Sequence, residues 1–207
     1  MDDKTIKNSV GEPNGITTDY EKSKHEKISN EKVTHEKIND LLSFSKEEVS
    51  LNPKELITAD AQVLSINISE TKGVVKEPVF EGQFVEHVGL KGDAHAGDWH
   101  RMVSLLAIES YEAMKKQGTG ELAIGSFAEN LTTKGVVLHK LPVGTQLSIG
   151  ETIHEVTQIG KQCHTGCAIR NLVGDCVMPR EGIFTRIIKG GTIKPGDSIQ
   201  LLSNEDN

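Results

Sequence analysis

The sequence predicts a mainly β fold: an antiparallel β-barrel with few short helices, preceded by a polar N-terminal tail. Three observations predict it. From residue 61 onward the apolar residues come in short stretches separated by Gly and Pro-Gly turns, drawing on 20 glycines in 207 residues. Only one window, residues 108–118, has clear helical periodicity. The first sixty residues hold nine Lys and thirteen acidic residues with a single Phe, too little apolar surface to bury.

Residues 1–58 form the tail and 59–204 the barrel domain. The tail contains the repeat EKSKHEKISN and EKVTHEKIND, identical at six of ten positions. Its Ile28 and Ile38 sit about 80° apart on a helix, and Val33 alone lies between, so no continuous stripe forms. His25 and His35 in this tract read as solvated. Next, AQVLSINIS alternates with Leu64, Ile66 and Ile68 on one side, the period of a half-buried strand. RMVSLLAI (101–108) is a denser strand. In IESYEAMKKQG, Ile108, Tyr111 and Met114 fall at helical spacing and Gly118 is the expected stop. The remaining stretches, KGVVLHKL, GTQLSIG, TIHEVTQIG, IFTRIIKG and DSIQLL, read as strands. LPVGTQLSIG and IKPGDSIQLL each set Pro and Gly just before one. No Gly-rich phosphate loop joins a strand to a long helix, which disfavours a doubly wound fold.

Composition excludes several functions. A formal net charge of −7 leaves no basic surplus to replace phosphate counterions, so a nucleic-acid partner is not expected. No run of eighteen apolar residues exists and the first fifteen residues lack the apolar core of a signal peptide, so neither a membrane span nor secretion is expected. A cytoplasmic location follows, where three cysteines stay reduced.

Two segments concentrate chemistry. GLKGDAHAGDWHR (89–101) gathers Lys91, Asp93, His95, Asp98, His100 and Arg101 among glycines that let backbone approach a ligand. The spacing of His95 and His100 matches no standard zinc signature. GKQCHTGCAIRNLVGDC (160–176) holds every cysteine: Cys163, Cys167 and Cys176. Three readings stand. With His164 the cysteines number four zinc ligands, though the adjacent pair strains joint ligation and Cys176 stands alone. A redox pair would need two residues between its cysteines rather than three. A single working thiol at Cys163 would be ionised by Lys161 and His164, leaving Cys167 to resolve a mixed disulfide and Cys176 as a buried small hydrophobe. Arg170 and Arg180 suit a phosphate-bearing ligand, since a guanidinium grips phosphate at two points.

GLKGDAHAGDWHRMVSLLAIES, IGSFAENLTTKGVVLHKLPVGTQLSIGE, QIGKQCHTGCAI and GIFTRIIKGGTIKPGD follow one another in the order seen in MOSC domains, the family named for the C-terminal domain of molybdenum-cofactor sulfurases. The resemblance covers about residues 60–203 and is greatest to small stand-alone bacterial members. It implies a β-barrel and a molybdenum-cofactor ligand, molybdopterin or a related phosphorylated pterin. Cys163 matches the family cysteine, the proposed sulfur carrier as a persulfide or molybdenum contact. Gly182, Phe184 and Arg186 match the strand after it. On this reading Lys91, His95, His100, Arg101 and Arg170 hold the cofactor near Cys163. The partners implied are a sulfur-donating desulfurase and an acceptor molybdoenzyme. No pyridoxal phosphate site is evident. A non-catalytic molybdopterin carrier or chaperone and a zinc-stapled interaction domain are the alternatives.

Overall fold

The first turn of the fold is capped by its own sequence. Asn52 accepts a hydrogen bond from the Lys54 amide through its side chain at 3.1 Å, starting a 3-10 turn over Pro53–Leu56 that sends Leu56 into the core. The computed structural model describes residues 52–161, 174 and 176–202, except for the side chains at 117 and 118. Of the expected tail, residues 1–51 lie outside the described residues, whereas 52–58 are ordered as the capped turn and the start of the first strand; within the cysteine segment Cys163, His164, Cys167 and Arg170 also lie outside the described residues.

From Leu56 the chain runs into β1 (Ile57–Ile68). The alternation expected there slips once. Ala61 and Val63 face inward, a register shift falls between Val63 and Ser65, and beyond it Ser65, Ile66 and Asn67 are all buried, with Ile66 in the hydrophobic core. One extra residue in a strand exchanges its faces, so Leu64 leaves the core while Ile66 keeps it. Next come β2 (Glu77–Val79), β3 (Gly82–Val85), β4 (Gly89–Leu90) and β5 (Val103–Ala107). Helix α1 (Ile108–Met114) buries Tyr111 and Met114 as their spacing predicts, then widens into a π-helical turn, Lys115–Thr119. The stop falls at Gly120, φ 74°, two residues past the expected Gly118. The remaining elements are β6 (Leu131–Val136), β7 (Gln146–Ile149), β8 (Thr152–Ile159), α2 (Met178–Glu181), β9 (Ile183–Lys189), β10 (Gly191–Ile193) and β11 (Ile199–Leu201). The two Pro-Gly turns precede β7 and β11. Thr145 N bonds Pro142 O and Asp197 N bonds Lys194 O, both at 3.1 Å, with Gly144 and Gly196 at φ 93° in the third position.

Eight strands form one sheet in the order β11-β7-β8-β9-β5-β6-β1-β2, and β10-β3-β4 form a second. The mainly β reading with few short helices is correct, but the sheet is mixed rather than antiparallel. β5 and β6 pair in parallel, because α1 and the chain after it make a crossover that returns β6 in the direction of β5. Nor is the barrel ladder continuous. β1 meets β11 only through the bridge Gln62↔Ser198 and through the turn before β11, where Val63 N bonds Asp197 O at 2.9 Å and Gly196 N bonds Val63 O at 2.8 Å. The main core fills the space these strands wrap, with Val63, Leu105, Leu131, Leu147 and Ile183 fully buried. A second cluster of Leu106, Tyr111, Phe127, Cys176, Met178 and Phe184 lies under α1. No described helix is long and apolar enough to cross a membrane.

His154 on β8 is the unusual member of the interior. It is fully buried, pairs with Thr185 Oγ1 at 2.9 Å through Nδ1, and leaves Nε2 without a partner. Desolvation pushes its pKa down to about 3. The folded state therefore binds fewer protons than the unfolded chain between about pH 3 and 6.5, and stability drains away as acid is added, by up to about 1.4 kcal/mol per pH unit. Melting temperature measured from pH 6.5 down to 4.5 should fall in the wild type and fall less steeply in His154→Gln. Equal slopes would show that His154 takes no part. A chain starting at Asn52 keeps the first cap and Leu56 and should melt within about 5 °C of the full chain; a larger drop, more than about 1 kcal/mol for this size, would show that the tail docks.

Candidate functional site

Three glycines shape the 89–101 loop. At Gly89, φ 90°, an added Cβ would lie 2.7 Å from the carbonyl oxygen of Met102, so only glycine lets the two backbones pass. Asp93 then anchors the loop from beneath. Its Oδ2 accepts from the Lys76 ammonium and from the Ser69 amide at 3.2 Å, while Oδ1 accepts from the His95 amide at 2.9 Å. The Lys76 and Asp93 side chains are each 1% exposed, so two opposite charges are sealed together. Burial alone would raise the Asp93 pKa, but the hydrogen bonds from His95 and Lys76 outweigh it and hold the carboxyl well below the usual range.

Above that anchor, His95, Trp99 and Arg101 form one side of a cavity of about 140 Å³. Trp99 is fixed by its indole N–H, which donates to the His95 carbonyl at 2.9 Å. The Arg101 guanidinium lies 4.9 Å from the Trp99 ring centre and 5.8 Å from that of Phe184 on β9. Its Nε is buried and has no hydrogen-bond partner. A buried N–H on a cation is costly to leave unpaired, which makes this atom a candidate donor to a ligand. The far wall is Cys176, Met178 and Phe184; Lys161 stands at the rim. The floor is Ser104, whose hydroxyl donates to Asn130 Oδ1 at 3.0 Å, together with Ala128. Ala128 is held at φ 60°, a left-handed conformation that a non-glycine residue adopts at some cost. Among the described residues, no carboxylate lines the cavity.

Of the residues singled out in the sequence, His95 and Arg101 meet in this cavity. His100 does not join them. Its Nε2 lies 3.0 Å from Gln158 Oε1, and it lines a separate depression with Glu155 and Arg186, which are themselves paired at 2.9 Å. Lys91 is exposed, reaching Gln83 Oε1 at 3.4 Å. Arg180 is exposed on α2 and is absent from the lining. Sequence reasoning missed Lys76, Ser104, Asn130 and the aromatic walls as parts of one site. Lys161 had been singled out only as a neighbour of Cys163. Cys176 is buried in the second cluster, as read, but also lines the cavity. Below the floor, Glu129 is fully buried; desolvation raises its pKa, and Oε1 accepts from Tyr111, Thr132 and the Gly125 amide while Oε2 has no partner. Among the described residues, no three His, Cys, Asp or Glu side chains are grouped to hold a metal.

A mixed β fold of two sheets, with a cavity walled by Trp99, Arg101 and Phe184, defines a mainly β domain class. The MOSC domain profile matches residues 91–200, just over half of the chain, and the protein belongs to that family, which is associated with molybdenum-cofactor proteins. It is 23% identical over 162 residues to the YflK protein of Bacillus subtilis, covering 68% of this chain and 73% of that one. Among solved structures it is similar to the YuaD protein of Bacillus subtilis, with a TM-score of 0.58, 19% identity, and coverage of 67% of this chain and 93% of that one. It is also similar to YiiM of Geobacillus stearothermophilus, with a TM-score of 0.55, 19% identity, and coverage of 69% and 75%. Identities this low establish the shared fold.

Breaking one half of a buried ion pair leaves the other charge stranded, which costs about 3–5 kcal/mol, whereas removing both costs far less. Lys76→Met should therefore lower the urea midpoint sharply, and Lys76→Met combined with Asp93→Asn should recover much of the loss. Additive losses in the double variant would show that the two charges are not coupled.

Proposed function

We propose that this MOSC domain binds the molybdenum cofactor, or a related phosphorylated pterin, in the cavity walled by Trp99, Arg101 and Phe184, and carries sulfur there as a persulfide on Cys163. The observation that supports it most is the buried, unpartnered Nε of Arg101 in a cavity whose described lining includes cations and no carboxylate. The residues present suit such a ligand. Arg101 and Lys161 would hold phosphate or oxo groups, His95 would add a hydrogen bond, and the aromatic walls would cover a flat ring. Cys176 offers a soft sulfur to a metal. When bound, the cofactor would supply a metal centre able to exchange oxo and sulfido ligands.

Sequence proximity supports the role of Cys163. Lys161 and Cys176, on either side of that residue in the sequence, both line the cavity. Lys161 precedes Cys163 by two positions. Lys161 is thereby close enough in the chain to favour the thiolate, the form that attacks a persulfide. A desulfurase as donor and a molybdoenzyme as acceptor complete this reading, in the cytoplasm. The domain itself would then comprise residues 59–204 together with the short segment from Asn52 that packs with it.

Titration of inorganic phosphate or a molybdopterin analogue into wild type and Arg101→Ala tests the pocket. Loss of one charge-assisted contact should cost about 1.5–3 kcal/mol, roughly ten- to hundred-fold in affinity. Unchanged affinity would remove Arg101 from the site. Incubation with a cysteine desulfurase and cysteine should add one sulfur to the intact mass of the wild type and none to Cys163→Ala. Sulfur on Cys163→Ala, with loss in Cys167→Ala, would move the carrier to Cys167. A pterin mass without sulfur would favour a cofactor carrier, and a zinc mass a stapled interaction domain.

A further inference from the structure

The cavity holds a histidine that its neighbours have prepared for proton transfer. His95 Nδ1 lies 3.5 Å from Asp93 Oδ1, the same oxygen that accepts the His95 amide at 2.9 Å, so one edge of the ring is turned to a carboxylate. Asp93 cannot rotate away, because its other oxygen is occupied by Lys76 and by the Ser69 amide. A carboxylate facing Nδ1 favours the tautomer with its proton there, which leaves the Nε2 lone pair on the opposite edge. Among the described residues no partner is recorded for Nε2, and the ring lines the cavity with 26% of its side chain exposed. Among the described residues, the other charged or titratable groups lining the cavity are Arg101, Lys161 and Cys176, while Asp98 is turned to His87 at 3.4 Å. His95 is thus a proton acceptor in the described lining, beside cations that would hold whatever anion a lost proton leaves behind.

We propose that His95 is the proton acceptor of this pocket for weakly acidic thiol or ring-hydroxyl ligands, with Asp93 and Lys76 as its positioning residues. The bond between hydrogen and the ligand's sulfur or oxygen breaks, its electron pair stays on the ligand as an anion against Arg101, and the proton moves to Nε2. The imidazolium that results faces Asp93, so the new charge is made beside its counter-charge. Trp99 and Phe184 select ligands whose acidic group is attached to a flat ring. This inference rests on the pocket being the ligand site, and it names what happens to a ligand there.

The probe is 4-nitrophenol, whose anion absorbs visible light, titrated with full-length protein in two buffers of different ionisation enthalpy. The bound probe should be anionic in the wild type with no net proton released, because the proton stays on the protein. In His95→Gln the bound phenolate should be lost, or should form only with one proton released to the buffer per probe. In nitrogen-15 NMR, neutral His95 should carry its proton on Nδ1 in the wild type and shift towards Nε2 in Asp93→Asn. Should that variant fail to fold, the His95→Gln comparison decides alone. Phosphate binding that depends on Arg101, with the same proton release in wild type and His95→Gln, would overturn the proton acceptor and leave the pocket standing. Binding of neither phosphate nor nitrophenol would overturn both.

Discussion

The Lys76–Asp93 ion pair is the constraint on which the site depends. One carboxylate, sealed from water, joins three pieces of chain that share no strand: the end of β1 through Ser69, the segment before β2 through Lys76, and the glycine loop through His95. An unpaired charge in that position would not be tolerated, so each partner enforces the presence of the other. The backbone of the Lys76 segment is held in turn by Gly125, whose carbonyl accepts the Lys76 amide at 3.1 Å and whose Cβ position would lie 2.0 Å from the Lys76 carbonyl oxygen. Gly125 also donates to Glu129, so the buried acid under the cavity floor and the buried base behind its wall are braced by one residue.

Electrostatics divide the molecule. Residues 61–207 carry three more acidic than basic residues, yet the described residues that line the cavity are all cationic or neutral. Two buried acids behind the cavity are handled differently. Asp93 is paired to Lys76, while desolvation favours the neutral form of Glu129, which accepts from the Tyr111 hydroxyl at 2.5 Å. A positive recess on a negative body concentrates small anions while leaving long polyanions repelled by the surroundings.

Much of the fold was legible because strand alternation and turn chemistry are local. Gly144 and Gly196 could be read as turns from their own neighbours, and Tyr111 and Met114 from helical spacing. What was not legible required distance. Nothing in VVKEPV marks Lys76 as fully buried, since its partner lies seventeen residues on and becomes close only when the loop folds back. The parallel pairing of β5 and β6 depends on the path of the crossover, which periodicity does not encode. The bulge at Val63–Ser65 is silent for a similar reason, because an alternating run reads the same on either face. His100 and Arg101 are adjacent in sequence, and the turn that contains them sends one to the cavity and the other to a neighbouring depression.

Gly160 has a wider consequence. Its amide bonds the Gly182 carbonyl at 2.7 Å, and a Cβ there would lie 2.2 Å from the carbonyl oxygen of Pro179, so the strand leaving β8 is clasped to the one starting β9. The cysteine segment is therefore a detour between two points that are already joined. Closing a longer detour costs little, about 0.6 kcal/mol for each doubling of its length. A scaffold of this kind can exchange one connecting segment for another, of different length and composition, without renegotiating its sheet. It is a socket in which evolution, or a protein engineer, can replace the insert.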